Sequence, residues 1–519
     1  MAIRLSLLLV LLTAAVYAQS LGFGFISFDD PLLIENNPML GAVWSTEFVS
    51  WAFTTSLGGN WNPLVWFSFA LDYQLFGMSA GGYHATNLLL HLANTLLLFH
   101  LLRQASGELF LSFWVAALFA VHPQHVEAVA WVTARKDLLS TLFGLLAIQA
   151  YTGASGKHGM PLACIGSMAL SLMAKPMFVT LPFLLVVLDL WPLRRIDPGA
   201  GPGQLLPALG RSLLQKWPLL LLTILGCAIA WMSHETEGAI SDIDLGLRLQ
   251  NVVVAYCFYL QKTVLPLSLS IFYPLNIPSP GHVAAGSLLL LGISIGAWKT
   301  RQRAPYLLVG WLWYLGTLVP VSGIIPFGGH AFADRFSYVP RIGLLLALVW
   351  GAAHLARKPG FPVRRAALAG ASVLLVLGGL TAIQVSHWKD SLTMFRHTER
   401  VVEADAFIYS KISQAYAHRG AWEEALEYNL KALEVAGSND IRMPGLMPLL
   451  LRGNGLLLYQ LGEYRASEYY LQEALALRPG DAKARDLLLL VRHKIEEDGQ
   501  PRTPESSGSR KSVDESGGM

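Results

Sequence analysis

A chain of 519 residues that is 53% hydrophobic and only 14% charged, with a mean hydropathy of +0.45, excludes an ordinary soluble protein, which carries about 25% charged residues. The formal net charge of +3 is too small to call for nucleic acid as a partner. Three cysteines, Cys164, Cys227 and Cys257, lie in apolar or amphipathic stretches and form no disulfide framework.

Charge is sparse up to about Gln384 and dense from His387 onward, so a membrane part, 1–386, precedes a soluble part. A crossing helix takes about 20 mostly apolar residues, roughly 17–25. The candidate spans are Ile3–Leu21, His84–Leu102, Leu109–Val121, Leu138–Tyr151, Met160–Ala174, Met177–Trp191, Leu214–Met232, Val283–Trp298, Tyr306–Ile324, Ser337–Leu355 and Ala366–Val385. Several are short, which predicts ends buried in protein rather than in lipid. The first also reads as a signal peptide, because Val16-Tyr17-Ala18 resembles a cleavage site. In either case the segment after Leu21 lies outside the cytoplasm.

Leu245–Val264 reads as an interfacial amphipathic helix rather than a further span: Arg248, Asn251, Tyr259 and Lys262 share one face and Leu249, Val253, Tyr256, Leu260 and Val264 another. The Lys/Arg bias of short loops then sets orientation. Arg4, Arg103, Lys157, Arg194, Arg195, Arg211, Lys216, Lys299, Arg301, Arg303, Arg357, Lys358, Arg364 and Arg365 fall on the cytoplasmic side, against Arg135, Lys136, Lys175, Arg248, Lys262, Arg335 and Arg341 on the other. This predicts that everything after His387 lies outside the cytoplasm, on a bacterial inner membrane or an endoplasmic reticulum membrane.

Unusual polar residues collect on that outer face, where ionisable groups at membrane depth are costly and usually functional. The first loop, 23–83, is too long for a mere connection and opens on Phe28-Asp29-Asp30-Pro31. Adjacent carboxylates there supply a general base and a ligand, or simply cap a turn before proline. His84, Asn87, His91 and Asn94 are spaced three, four and three apart on one helix face. They line a polar cavity or form a ladder between helices. His122, His125 and Glu127 precede Arg135-Lys136-Asp137. His125 and Glu127 are two apart and point to nearly opposite helix faces, which favours a catalytic or phosphate-binding cluster over zinc. No cofactor is specified, and a divalent metal stays open. Lys175-Pro176 and Asp334-Arg335 add cations: Lys175 either snorkels to headgroups or helps to form an anion site. The sequence contains neither a Gly-rich phosphate loop nor a nucleotide fingerprint.

Taken in order, Phe28-Asp29-Asp30, Asn60-Trp61-Asn62-Pro63-Leu64, the stretch from His84 to His91, His122–Asp137, Met173-Ala174-Lys175-Pro176, Phe272-Tyr273-Pro274 and Ala333–Tyr338 resemble the transmembrane and tetratricopeptide-repeat O-mannosyltransferase family and its bacterial relatives. The resemblance covers about residues 20–490. It implies an all-α, polytopic GT-C-like bundle of about eleven spans, followed by a C-terminal tetratricopeptide-repeat α-solenoid. It implies Asp29 or Asp30 as the catalytic base or acceptor-orienting carboxylate, Asp137 as a second acidic position of the catalytic site, and Lys175, with Arg135 and Arg335 as further candidates, as partners of a donor phosphate. The implied partners are a polyprenyl-phosphate-linked sugar, a protein or glycan acceptor and membrane lipid.

The repeats read from His387 to Glu497. Tyr416, Gly420, Trp422, Ala425, Ala432 and Leu433 carry the first, and Gly455, Gly462, Tyr464, Ser467, Ala474, Leu475 and Pro479 the second. An insertion falls near Gly437–Pro448, a capping helix at Asp481–Glu497 and a disordered tail at 498–519. The expected function is transfer of a hexose, mannose or another, from the lipid carrier to an extracytoplasmic acceptor. A lipid-sugar transporter or flippase predicts internally repeated broken spans, which the sequence lacks. A non-catalytic repeat scaffold would leave Asp29, Asp30 and Asp137 without a use.

Overall fold

The computed structural model describes residues 1–154, 159–236, 243–324, 330–356, 363–403, 405–439 and 445–499. Lys157, Arg357 and Lys358 of the basic loops, part of the insertion and the tail from residue 500 lie outside the described residues. Two compact units emerge, Met1–Ala415 and Tyr416–Met519. The division falls later than the change in charge density at His387, so two helices of the charged region go with the membrane unit.

In chain order the first unit holds α1 (Ala2–Tyr17), α2 (Thr46–Thr54), α3 (Pro63–Phe76), α4 (Ala80–Ser106), α5 (Leu109–Ala120), α6 (Val126–Ala130) and α7 (Arg135–Gly153). It continues with α8 (Leu162–Ala174), α9 (Leu181–Leu190), α10 (Pro202–Leu214), α11 (Trp217–Thr236), α12 (Leu245–Val264), α13 (Pro280–Thr300) and α14 (Pro305–Leu318). Then follow α15 (Pro340–Ala356), α16 (Val363–Ser386), α17 (Ser391–Val401) and α18 (Ala406–Ala417), across whose end the division runs. The two described strands, β1 (Tyr273–Pro274) and β2 (His330–Phe332), pair antiparallel with Tyr273 opposite Phe332.

All eleven expected spans fall on helices, but they differ in reach. Five helical segments are long and apolar enough to cross alone: Ala2–Gly22, Ala80–Ser106, Trp217–Glu235, Pro280–Thr300 and Arg364–Ser386. The chain is therefore a multi-pass membrane protein. On α13 and α16 Leu288 is 70% and Leu375 76% exposed, as lipid-facing side chains should be. The other spans are short or broken, and prolines account for much of it. Proline suits a first helical turn but cannot continue a preceding helix. Pro123 lies at the break where α5 and the following segment bend by 57°. Lys175 is extended (φ −164°, ψ 137°), and Pro176 opens a 3-10 turn leading into α9. Leu245–Val264 forms α12 with the bounds read from sequence.

The first loop is a folded layer. Ile34, Leu40, Phe48, Trp66 and Phe69 pack with Tyr83, Val132 and Leu139 into one buried cluster. Arg135 fastens that layer to the bundle. It has no exposed side-chain surface, pairs with the buried Asp72 at 2.5 Å, and donates to Asn87 Oδ1 at 2.8 Å and to the Tyr83 carbonyl at 2.9 Å. A buried guanidinium needs such full pairing, since removing one partner of a buried pair costs about 3–5 kcal/mol.

In the second unit α19 (Trp422–Asn439), α20 (Leu446–Gln460), α21 (Tyr464–Leu477) and α22 (Ala482–Gly499) form antiparallel helices. Small residues let them approach: a Cβ on Gly455 would meet the Leu471 side chain, and Ser467 Oγ donates to the Gly455 carbonyl at 2.6 Å.

In the membrane unit α14 and α15 cross closely. A methyl group on Gly310 would overlap the carbonyl oxygen of Gly343, and one on Gly343 the carbonyl oxygen of Gly310. Neither backbone can yield without the helices separating. Gly343→Ala should cost about 1–3 kcal/mol, as overpacking does, and lower the melting temperature of the detergent-solubilised protein. An unchanged melting temperature would contradict this crossing.

Candidate functional site

The breaks in the short spans leave an open cavity of about 370 Å³. The first loop contributes Phe28, Asp29 and Asn60 to its wall, and the start of α7 contributes Lys136. Lys175 and Pro176 enter from the break before α9, and His330, Arg335 and Phe336 from the segment after β2 begins. α12 adds Arg248 and Asn251. Asp29 thus shares one water-accessible space with Lys175 and Arg335, two of the three cations expected at the phosphate, and with Lys136.

Buried carboxylates hold two of those cations. Lys175 Nζ donates to Asp137 Oδ1 at 2.6 Å and lies 4.9 Å from the centre of the Phe336 ring. Burial lowers the Lys175 ammonium to about 8, against the opposing pull of Asp137. Arg335 pairs with Glu127 through its guanidinium, and its backbone N–H donates to the other Glu127 oxygen at 2.8 Å. Trp131 and Phe336 flank the same guanidinium at 5.1 and 4.9 Å. Asp137 and Glu127 are buried and act through their cations. Apolar walls around fixed charges strengthen any interaction with an incoming anion.

Behind Arg335, Asp334 accepts from Gln124 Nε2 at 2.8 Å, Tyr273 Oη at 2.9 Å and Ser270 N at 3.2 Å. Burial, with the charge of Glu127, raises its carboxyl to about 7. This network fixes the chain direction that turns Arg335 toward the cavity.

Several expected site residues sit elsewhere. Asp30 is fully buried and binds Ile26 N at 2.7 Å. Its neighbour Asp29 faces the cavity, so Asp30 shapes the loop. Arg135, expected at the phosphate, is spent on Asp72 and Asn87. The expected polar cavity at His84, Asn87, His91, His122 and His125 is a set of packed helix contacts. Asn87 Nδ2 donates to the carbonyls of Val129 and Trp131, His91 bonds Tyr338 Oη and the Ala120 carbonyl, and His125 bonds the Phe119 carbonyl. His122 bonds the Thr263 carbonyl and Arg341. The ladder alternative is the one observed. Among the described residues no three His, Cys, Asp or Glu side chains gather into a metal-holding group.

Lys136 was legible as part of the Arg135-Lys136-Asp137 cluster, and it, rather than Arg135, lines the cavity; His330 was not legible as a site residue. Nothing near His330 marked it, because β2 brings it in from a distant segment.

An apolar groove of about 230 Å³ adjoins the cavity, lined by Trp61, Leu172, Met173, Leu222, Leu225 and Ile229 among others. It shares Asn60, Pro176 and His234 with the polar cavity.

No protein-family model matches the sequence. The chain is 25% identical over 449 residues to protein O-mannosyl-transferase Tmtc3 of Drosophila melanogaster, covering 72% of this chain and 48% of that protein. It is 25% identical over 446 residues to a protein O-mannosyl-transferase of Caenorhabditis elegans, covering 82% and 61%. A shorter match, 35% identical over 150 residues, is to protein O-mannosyl-transferase Tmtc1 of Drosophila melanogaster, covering 27% and 17%. The chain thus spans about half to three fifths of the length of the first two relatives. These relatives bear out the resemblance carried by the motifs.

Asp30 gives a pH test of this geometry. Burial raises its carboxyl to about 7, whereas an unfolded chain releases that proton near 3.9. Between those values the folded state holds a proton that the unfolded state has lost, so stability falls as pH rises from about 4 to 7 and levels off above. Asp334 acts in the same direction. Asp30→Asn should therefore reduce the fall in melting temperature between pH 5 and 7 without removing it. An identical slope in wild type and variant would contradict a buried Asp30.

Proposed function

We propose that the chain, whose similarity is to protein O-mannosyl-transferases, is a membrane glycosyltransferase. It moves a hexose, mannose in the first instance, from a polyprenyl-phosphate carrier to a hydroxyl group of an extracytoplasmic protein acceptor. The observation that carries the reading is Asp29 sharing one cavity with Lys136, Lys175 and Arg335.

The chemistry needs both halves of that arrangement. As the bond between the sugar C1 and the phosphate oxygen breaks, negative charge grows on the polyprenyl phosphate. Preorganised cations stabilise such developing charge. The acceptor oxygen bonds to C1 and gives its proton to Asp29, a positioned general base worth about 10²–10⁴ in rate. The adjoining groove between α8 and α11 offers the isoprenoid tail an apolar path to the same cavity, and a lipid-borne donor is consistent with the lack of any nucleotide-binding fingerprint. The unit from Tyr416 onward is, on this reading, an extracytoplasmic repeat domain that engages acceptor or partner protein.

Activity with purified protein, a polyprenyl-phosphate-linked mannose and Ser/Thr peptides tests the reading, with glycopeptides detected by mass spectrometry. Asp29→Asn should lower transfer about 10²–10⁴-fold while leaving expression intact; wild-type turnover would reject Asp29 as the base. Lys175→Ala should weaken donor binding about 10- to 150-fold, as loss of a charge-assisted contact does, and should spare acceptor binding. Equal donor affinity would reduce Lys175 to a headgroup anchor. For orientation, Glu473→Cys on the exposed face of α21 should react with a membrane-impermeant thiol reagent from the extracytoplasmic side. Labelling only after membranes are opened would reverse the proposed topology.

A further inference from the structure

One basic side chain lies beside the cavity without lining it. Lys411 of α18 belongs to the membrane unit, which extends to Ala415. Its ammonium lies 5.6 Å from the centre of the Phe28 ring and 5.5 Å from that of Phe407, and Phe28 immediately precedes Asp29. Phe28 meets Trp131 edge-on at 5.4 Å and Phe407 at 5.7 Å. Phe407 in turn packs on Phe272 at 4.8 Å. Phe28 and Phe272 both line the cavity, so α18 backs the wall that carries Asp29. The same wall is pinned from α17, where Ser391 Oγ accepts from Ser27 N at 2.8 Å.

Burial lowers the Lys411 ammonium, and the Asp29 charge pulls it back up. Among the described residues, the charges that interact with Asp29 are Lys136 of α7, Arg335 of the segment after β2 and Lys411 of α18, with Asp30 beside it on the same loop. Lys136 and Arg335 line the cavity and would turn toward an incoming phosphate. Lys411 does not line it, so its charge stays with Asp29 when donor binds.

We propose that Lys411 is a positioning residue for Asp29: its ammonium, held over Phe28, turns the Asp29 carboxylate toward the acceptor hydroxyl and makes α18 a working part of the site. This rests on the reading of Asp29 as the base.

Lys411→Met keeps the apolar stem over both rings and removes the charge, whereas Lys411→Arg keeps the charge with altered geometry. In the full-length protein, Lys411→Met should lower kcat about 10- to 100-fold, the scale of a small misplacement of a catalytic group. Its Kd for polyprenyl phosphate should stay at the wild-type value, and Lys411→Arg should recover most of the rate. Wild-type kcat in Lys411→Met, or a loss that Lys411→Arg does not relieve, overturns the proposal. If the wild-type protein transfers no sugar, the functional reading fails, and zero-length carbodiimide cross-linking then decides the placement of Lys411 by itself. A bond between the Asp29 and Lys411 peptides, located by mass spectrometry and absent from Lys411→Arg, supports it. Coupling of Asp29 to Lys136 alone, or to neither lysine, overturns it.

Discussion

The site depends on how three consecutive charged residues at the start of α7 are turned. Arg135 points into the protein and pairs with Asp72, which fastens the first-loop layer to the bundle. Lys136 faces the cavity. Asp137 holds Lys175 at the break between α8 and α9. A helix start leaves such side chains about 100° apart, because 3.6 residues make a turn. One short segment can therefore serve three neighbours. The Arg135–Asp72 pair adds a fixed register to the apolar cluster that seats the first loop on the bundle, and so helps to keep Asp29 opposite the cations.

The short spans belong to the same design. A helix that stops at membrane depth must satisfy its backbone in protein or in a polar cavity. Here the breaks at Pro123 and Pro176 bring Glu127, Asp137, Lys175 and Arg335 together, each cation matched to one buried carboxylate. That matching solves a physical difficulty, since unpaired cations at such depth would repel one another when the site is empty. An arriving phosphate would meet charges already in place and partly stripped of water. The apolar groove at the edge of this cavity gives the polar site a membrane-side neighbour, as a ligand with a charged head and a lipid tail requires.

Much of this was legible in the sequence because the governing signals are local. Hydropathy placed the eleven expected spans on helices, and the polar face of Leu245–Val264 identified α12, which supplies Arg248 and Asn251 to the cavity. Lys175, Arg335 and the adjacent pair Asp29-Asp30 likewise stood out as charge beside apolar spans. What local patterns could not resolve was which way a polar side chain turns. Asp29 and Asp30 are indistinguishable in sequence, yet one faces the cavity and the other binds Ile26 N in the interior. The stripe of His84, Asn87 and His91 looked equally suited to a cavity or to helix contacts. The carbonyls of Val129, Trp131 and Ala120, which come from segments far along the chain, decide for contacts. Arg135 was drawn toward the phosphate on charge alone, and its true partner, Asp72, lies 63 positions earlier.

On the proposed reading one phosphate-bearing lipid sits among Lys136, Lys175 and Arg335 with its sugar toward Asp29. A structure of the protein in nanodiscs with a non-hydrolysable polyprenyl-phosphonate mannose bound is the most direct test. Phosphonate density is expected within hydrogen-bond reach of Lys175 and Arg335, with the isoprenoid chain in the groove between α8 and α11 and the sugar C1 on the Asp29 side. A phosphonate bound away from this cavity, or a sugar turned from Asp29, would contradict it.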